Sequence, residues 1–307
     1  MTNINVDSKR DSFIDLGKYN FHFNDGKLEI SDAGFAKKIA ALIETENGFV
    51  VCYNMSDVLA RNGMDVHNPE HADIGRVFFE DIFRQANTYI DVMQHNVVKD
   101  AEYSDIVWMD ADGFNKNSNF TPNSEHTEER EFVTTKCIHF DAATPFIANL
   151  YGPNQNIQGG VPIICDTRQF CVDRKIDPAI LIENIPNNYN VAIRDEFYNE
   201  ILDDYSFGVK LDYDNDIVMI ALFNEVVGGL AHAATPPRKV ERDKPSKRPI
   251  RHIEYQFSDS ASLKKWYDFY GLNLKKATDH DSEVVSMVLD YHETNSKPYA
   301  NFVDLVG

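Results

Sequence analysis

Cys137-Ile138-His139-Phe140-Asp141-Ala142-Ala143-Thr144-Pro145-Phe146 reads as a strand, and it carries a His-x-Asp pair. Residues two apart on a strand point to the same face. His139 and Asp141 therefore present an imidazole and a carboxylate to one point. A lone His-x-Asp recurs by chance in many proteins, so its meaning depends on what surrounds it.

From Phe132 onward, short β-like runs alternate with Gly, Pro and Asn turns. The runs are Ile147 to Tyr151, Val161 to Cys165, Val209 to Tyr213, Ile217 to Phe223 and Ile250 to Phe257. Turns fall at Gly152-Pro153-Asn154, Gly159-Gly160 and Gly228-Gly229. Several short strands punctuated in this way predict a sandwich or jelly roll. Upstream, residues 1 to about 30 read as a polar lead-in with short strands. Helical spacing over Phe35 to Thr45 uses Phe35, Ile39, Leu42 and Ile43, and Gly48 to Tyr53 reads as a strand. Residues 70–99 predict a long helix with Ile74, Val77, Phe78, Ile82, Tyr89 and Val92 as its stripe. The polar stretch Asp110 to Glu131 reads as a long loop of the kind that serves as a lid. Residues 258–295 return to helical patterning.

The expected organisation is one domain in three parts. Residues 1–131 form helical and strand support with the lid loop, 132–257 a jelly-roll core, and 258–307 C-terminal helices. The class is mainly β with flanking helices (α+β), built on a double-stranded β-helix of cupin-like type. Gly159-Gly160 has no G-x-G-x-x-G context, so a dinucleotide fold is a poor reading.

The 307 residues carry 30 Lys plus Arg against 49 Asp plus Glu, a net charge of −19. With no basic stripe, this argues against nucleic-acid binding. It suits a cationic small substrate, although most acidic chains are simply soluble ones. Cys52, Cys137, Cys165 and Cys171 form no C-x-x-C and no zinc spacing. Cys137 and Cys165 lie in apolar runs and read as small buried hydrophobes in a reduced, cytoplasmic setting. No secretory leader and no membrane span are expected from the sequence given.

A second histidine is needed to build a metal site on His139 and Asp141. His232, in Leu230-Ala231-His232-Ala233-Ala234, sits among small apolar residues that let a strand approach closely. Taken by itself it reads as an ordinary core or surface histidine. Together the three make two imidazoles and one carboxylate, the facial triad of non-haem Fe(II) oxygenases. His126, His252 and His280 compete, and strand alternation is expected to turn His252 away from the centre.

The run His139 to Asn154, with Gly159-Gly160-Val161-Pro162 and Cys165-Asp166, resembles the Fe(II)/2-oxoglutarate-dependent oxygenase superfamily. Within it, the run is similar to the branch of radical halogenases and hydroxylases acting on free amino acids such as lysine. The resemblance covers roughly 135–170 and extends more loosely to His232 and one arginine. It implies a jelly-roll barrel holding Fe(II), with 2-oxoglutarate and O2 as co-substrates. It also implies decarboxylation to succinate and CO2, and C–H hydroxylation through an Fe(IV)-oxo species. Halogenases of the branch carry Gly or Ala at the carboxylate position; Asp141 stands there, which implies hydroxylation.

The distal carboxylate of 2-oxoglutarate calls for a bidentate cation. Lys247-Arg248-Pro249-Ile250-Arg251-His252-Ile253-Glu254-Tyr255-Gln256-Phe257 reads as a late strand. If Ile253, Tyr255 and Phe257 face inward, so does Arg251. Arg251 is therefore the first candidate, Arg248 the second and Arg242 the third; otherwise these charges belong to a solvated basic loop. Asn149 or Tyr151 is placed to hydrogen-bond the co-substrate or a ligand. The resemblance further suggests Arg76 for a substrate carboxylate and Trp266 for pocket closure. Glu125, with Glu128 and Glu129, suits a cationic side chain. Ordinary roles compete for each: an exposed helix cation, a core aromatic, solvated acids. The leading function is hydroxylation of a free amino acid with a long or basic side chain. Alternatives are the same chemistry on another small molecule or a peptide, a non-catalytic jelly-roll binding protein, or a cupin-like metal lyase with more histidines.

Overall fold

The computed structural model describes residues 6–44, 47–90, 101–109, 138–141, 146–183, 190–224, 229–235, 238–241, 244, 248–257 and 302–304. In chain order the first elements are β1 (Phe13–Asp15), β2 (Phe21–Asn24), β3 (Lys27–Ile30), α1 (Phe35–Glu44) and β4 (Phe49–Tyr53). Two helices, α2 (Met55–Arg61) and α3 (Pro69–Asn87), precede β5 (Ala101–Met109), β6 (His139–Asp141), β7 (Phe146–Tyr151), β8 (Ile157–Gln158) and β9 (Pro162–Cys165). Beyond the helix Thr167–Arg174 come β10 (Ile182–Glu183) and β11 (Asn190–Ile193). After the helix Asp195–Asp204 come β12 (Ser206–Lys210), β13 (Val218–Phe223) and β14 (Ala231–Ala234). The remaining strands are β15 (Arg238–Lys239), β16 (Ile250–Phe257) and β17 (Phe302–Asp304).

Thirteen of these strands form two sheets, ordered β1-β4-β13-β7-β16-β5 and β10-β11-β6-β14-β9-β12-β17. From β5 to β16 the chain crosses repeatedly between them: β5, β7, β13 and β16 lie in the first, β6, β9, β12 and β14 in the second. Ile147, Val218, Ile220 and Leu222 of the first sheet pack with Ile164, Phe207 and Val209 of the second, so the sheets face each other across one core.

The first sheet is buried on both faces. On its other side Phe146, Ala148, Leu150, Met219, Ala221 and Ile253 pack with Phe35, Ile39 and Ile43 of α1 and Phe79, Ile82 and Phe83 of α3. A strand buried on both faces reads as a continuous apolar run rather than an alternating one, as Val218–Phe223 does. α3 starts where Asn68 accepts from the Glu70 N–H (2.9 Å) and Pro69 opens the first turn.

Helix α3 ends at Asn87, short of the expected 99, and its buried stripe is Ala72, Gly75, Phe78, Phe79, Ile82, Phe83 and Ala86. Ile74 and Val77 sit at the edge of that stripe, and Tyr89 is exposed. The expected strand Val209 to Tyr213 is instead Ser206–Lys210, because Tyr213 turns inward and donates to the Val209 carbonyl (2.7 Å). The lid stretch Asp110 to Glu131 and the C-terminal helical pattern 258–295 lie outside the described residues. No helix among the described residues is long and apolar enough to cross a membrane.

Candidate metal centre

β6 and β14 are neighbours in the second sheet, and their register pairs His139 with His232. A cross-strand pair places its side chains on one face, and the two imidazole centroids are 4.3 Å apart. Asp141, two residues along β6, faces the same point: its Oδ1 is 3.6 Å from His139 Nε2 and its Oδ2 3.5 Å from His232 Nε2. One ligand atom from each of the three lies within 4.8 Å of the others.

Donors about 2.1 Å from a common ion stand roughly 3.0–3.5 Å apart by simple geometry, and the 3.5 and 3.6 Å separations to the carboxylate oxygens sit at the wide end of what a shared cation spans. The donor state fits as well. Burial holds the His232 imidazole down to about 3, with His139 lowering it further and Asp141 opposing, so the ring is neutral at pH 7. Burial alone would raise the Asp141 carboxyl, but the surrounding His232, His139 and His252 outweigh it and hold it well below the usual carboxylate range. His232 Nδ1 is buried with no hydrogen-bond partner among the described residues. Neutral imidazoles and an ionised carboxylate are the metal-binding forms, and His139, Asp141 and His232 form a candidate iron site.

A third histidine stands beside them. His252 Nε2 is 3.8 Å from Asp141 Oδ2, and its Nδ1 is hydrogen-bonded to Asn149 Oδ1 (2.6 Å). The expectation that alternation turns His252 away is therefore corrected, and Arg251 changes with it. Arg251 is on the helix side of the first sheet, its Nη2 3.0 Å from Glu80 Oε2 of α3. Apolar residues at alternate positions of the run predict that Arg251 faces inward. That inference fails because both faces of this sheet are buried, and Ile253 belongs to the helix-side core.

Arg248 takes the inner side. It is 3% exposed, donates from Nη2 to the Gly160 carbonyl (2.7 Å) and lies over the Tyr151 ring (5.8 Å). Tyr151 meets Tyr213 edge-on at 6.0 Å. Burial pushes the Tyr151 phenol up to about 12, with Arg248 opposing and Asp141 reinforcing the rise, which keeps it a neutral donor. Inner-face groups of β7 and the β16 region thus run from His252 and Asn149 beside Asp141 to Tyr151 and Arg248.

The substrate candidates fare differently. Arg76 is buried between α3 and the first sheet and donates from Nη2 to the Gly152 carbonyl (2.8 Å). It ties helix α3 to the turn after β7, on the far side of the first sheet from the three donors. Glu125, Glu128, Glu129, Trp266, Arg242, His126 and His280 lie outside the described residues. Sequence reasoning missed Asn224 at the end of β13. It is 1% exposed, and its side-chain amide pairs with the backbone of Asp141. A polar residue ending the all-apolar run Val218–Phe223 was its only signal.

No family model matches the chain, and no curated protein does. Among solved structures it is similar to the iron and alpha-ketoglutarate-dependent endoperoxidase NvfI. That match covers 75% of this chain and 86% of the other, at 10% identity and a TM-score of 0.34. The same enzyme in a different conformation matches over 75% and 84%, at 9% identity and a TM-score of 0.31. Superpositions this loose carry no argument about activity.

Proposed function

We propose that this chain is an Fe(II)/2-oxoglutarate-dependent oxygenase that hydroxylates a small molecule, and that the substrate is a free amino acid with a long or basic side chain. The observation that carries the reading is the convergence of His139, Asp141 and His232 in one cluster, with His139 buried and the other two half-buried. The crossing of successive strands between facing sheets supports a jelly-roll, double-stranded β-helix core. The amino-acid substrate rests on the resemblance over roughly 135–170.

The two imidazoles and the Asp141 carboxylate would hold iron from one side and leave its other positions open. When bound, iron and 2-oxoglutarate supply activation of O2, the co-substrate leaving as succinate and CO2. Arg248 is the cation proposed for the distal carboxylate. Its guanidinium is already desolvated and oriented by the Gly160 carbonyl, so little ordering remains when an anion docks. Tyr151, beside it and neutral, would donate a hydrogen bond to the same carboxylate. The Asn149–His252 contact holds the imidazole at the Asp141 edge and limits the positions open to ligands. Asp141 fills the position that a halide would need, so we propose hydroxylation rather than halogenation.

A second reading is favoured by one observation, the approach of His252 to Asp141. Three imidazoles around a carboxylate suit a cupin-like metal lyase or isomerase. One assay separates the two. The protein is incubated with Fe(II), ascorbate and 2-oxoglutarate across the amino acids and ornithine, with succinate quantified and each mixture analysed by mass spectrometry. Succinate coupled to a product 16 Da heavier supports the hydroxylase. Iron bound without succinate in any mixture favours the lyase, and no iron bound at all leaves a non-catalytic binding protein.

A further inference from the structure

Asn224 completes the strand ladder at the metal end of β6. Asp141 donates its backbone N–H to Asn224 Oδ1 (3.1 Å), and Asn224 Nδ2 donates to the Asp141 carbonyl (2.8 Å). In an antiparallel ladder a residue's N–H and C=O both point to the same neighbour. The His139–His232 register puts Leu230 opposite Asp141. Leu230 does not take that place, because its N–H goes to the Phe223 carbonyl of β13 (2.6 Å). The Asn224 carboxamide therefore stands in for the missing peptide. It reaches from the end of a strand in the first sheet to the last residue of a strand in the second.

The consequence lies at the carboxylate. Asp141 is the final residue of β6, where a three-residue strand has the least backbone restraint. A reciprocal, buried amide pair at that residue holds its φ and ψ, and with them the direction of the side chain towards His139 and His232. We propose that Asn224 is a positioning residue of the metal centre: it sets the affinity for a divalent cation by holding the Asp141 backbone in ladder geometry without touching the ion. The inference rests on the metal-centre reading above, but not on the identity of the co-substrate or the reaction. Outer partners of metal ligands typically contribute 10–100-fold to affinity.

The test is anaerobic Fe(II) binding measured by competition with a chromophoric chelator. It is applied to the full chain and to Asn224→Ala, Asn224→Ser, Asp141→Ala and the double variant Asp141→Ala/Asn224→Ala. Asn224→Ser removes the reciprocal pair while keeping a small polar side chain, and urea unfolding of each variant separates loss of the fold from loss of the metal. Both Asn224 variants are expected to bind Fe(II) about 10–100-fold more weakly than the unaltered chain. Because the effect runs through the carboxylate, the double variant should bind within about twofold of Asp141→Ala alone. Unchanged affinity in the Asn224 variants, or an equal loss on the Asp141→Ala background, overturns the inference and leaves the metal centre standing. Failure of the unaltered chain to bind Fe(II) overturns both.

Discussion

Arg248 and Arg251 lie three residues apart and on opposite sides of one sheet, and exchanging each for methionine should separate two quantities that a mixed role would couple. Arg248 is buried beside Tyr151, with its guanidinium on the Gly160 carbonyl. If it pairs with the distal carboxylate of 2-oxoglutarate, Arg248→Met removes a desolvated charge pair, which costs about 2–5 kcal/mol of binding. That corresponds to a Kd raised roughly 30-fold to several thousand-fold. Arg251 pairs with Glu80 in the helix layer, each side chain 10% exposed. Arg251→Met leaves a buried carboxylate with one partner fewer. The loss is about 3 kcal/mol of stability, the low end for a broken buried pair, because Arg84 still reaches Glu80 Oε1 at 2.9 Å. Co-substrate affinity should not move. Anaerobic calorimetric titration of 2-oxoglutarate into the Fe(II)-loaded protein reads the first quantity and urea unfolding the second. The reasoning is refuted if Arg251→Met weakens 2-oxoglutarate binding tenfold or more while Arg248→Met leaves it intact.

His139→Ala and His232→Ala should each abolish stoichiometric Fe(II) binding, read by chelator competition; turnover retained in either variant would remove that residue from the centre. Asp141→Gly should eliminate most hydroxylation and open a position for chloride, so full hydroxylation by that variant would mean that the carboxylate is not a ligand. Gly152 has φ +84, and a Cβ there would lie 2.3 Å from the Asp216 carbonyl oxygen and 2.8 Å from that of Tyr213. Gly152→Ala should cost at least ~2 kcal/mol in urea unfolding. It should also loosen 2-oxoglutarate binding, because the Gly152 N–H bonds the Pro249 carbonyl next to Arg248. A silent Gly152→Ala would mean that the turn relaxes freely. Asp216 is pushed up to about 6 by burial, against the lowering effect of the Ser56 and Asn54 N–H groups that it accepts. With the folded value above the unfolded one, its contribution to stability is complete below about pH 3.8. That contribution is lost as pH rises through about 6, with a slope of up to ~1.4 kcal/mol per pH unit. Asp216→Asn should remove that slope from a series of unfolding curves between pH 4 and 6.5, and an unchanged slope would place its origin elsewhere.

Local pattern decided much of the fold. The runs at 49–53, 146–151, 162–165, 218–223 and 250–257 are strands, and 35–44 is a helix, because propensity and punctuation by Gly and Pro act over a few residues. The same short-range rule brought His139 and Asp141 to one side of β6, since a two-residue period is a property of the strand itself. Tertiary structure alone decided which distant residues join them. His232 arrives by strand register, and Asn224 arrives because Leu230 leaves the β6–β14 ladder to bond β13. The direction of β16 was the expectation that pattern could not support. Alternation states that Arg251 and His252 face opposite ways, but not which way is inward. Apolarity identifies the interior only when the other face meets water, and here α1 and α3 cover that face. Parity is written in the chain; its sign was set by the packing of helices on the outside of the sheet.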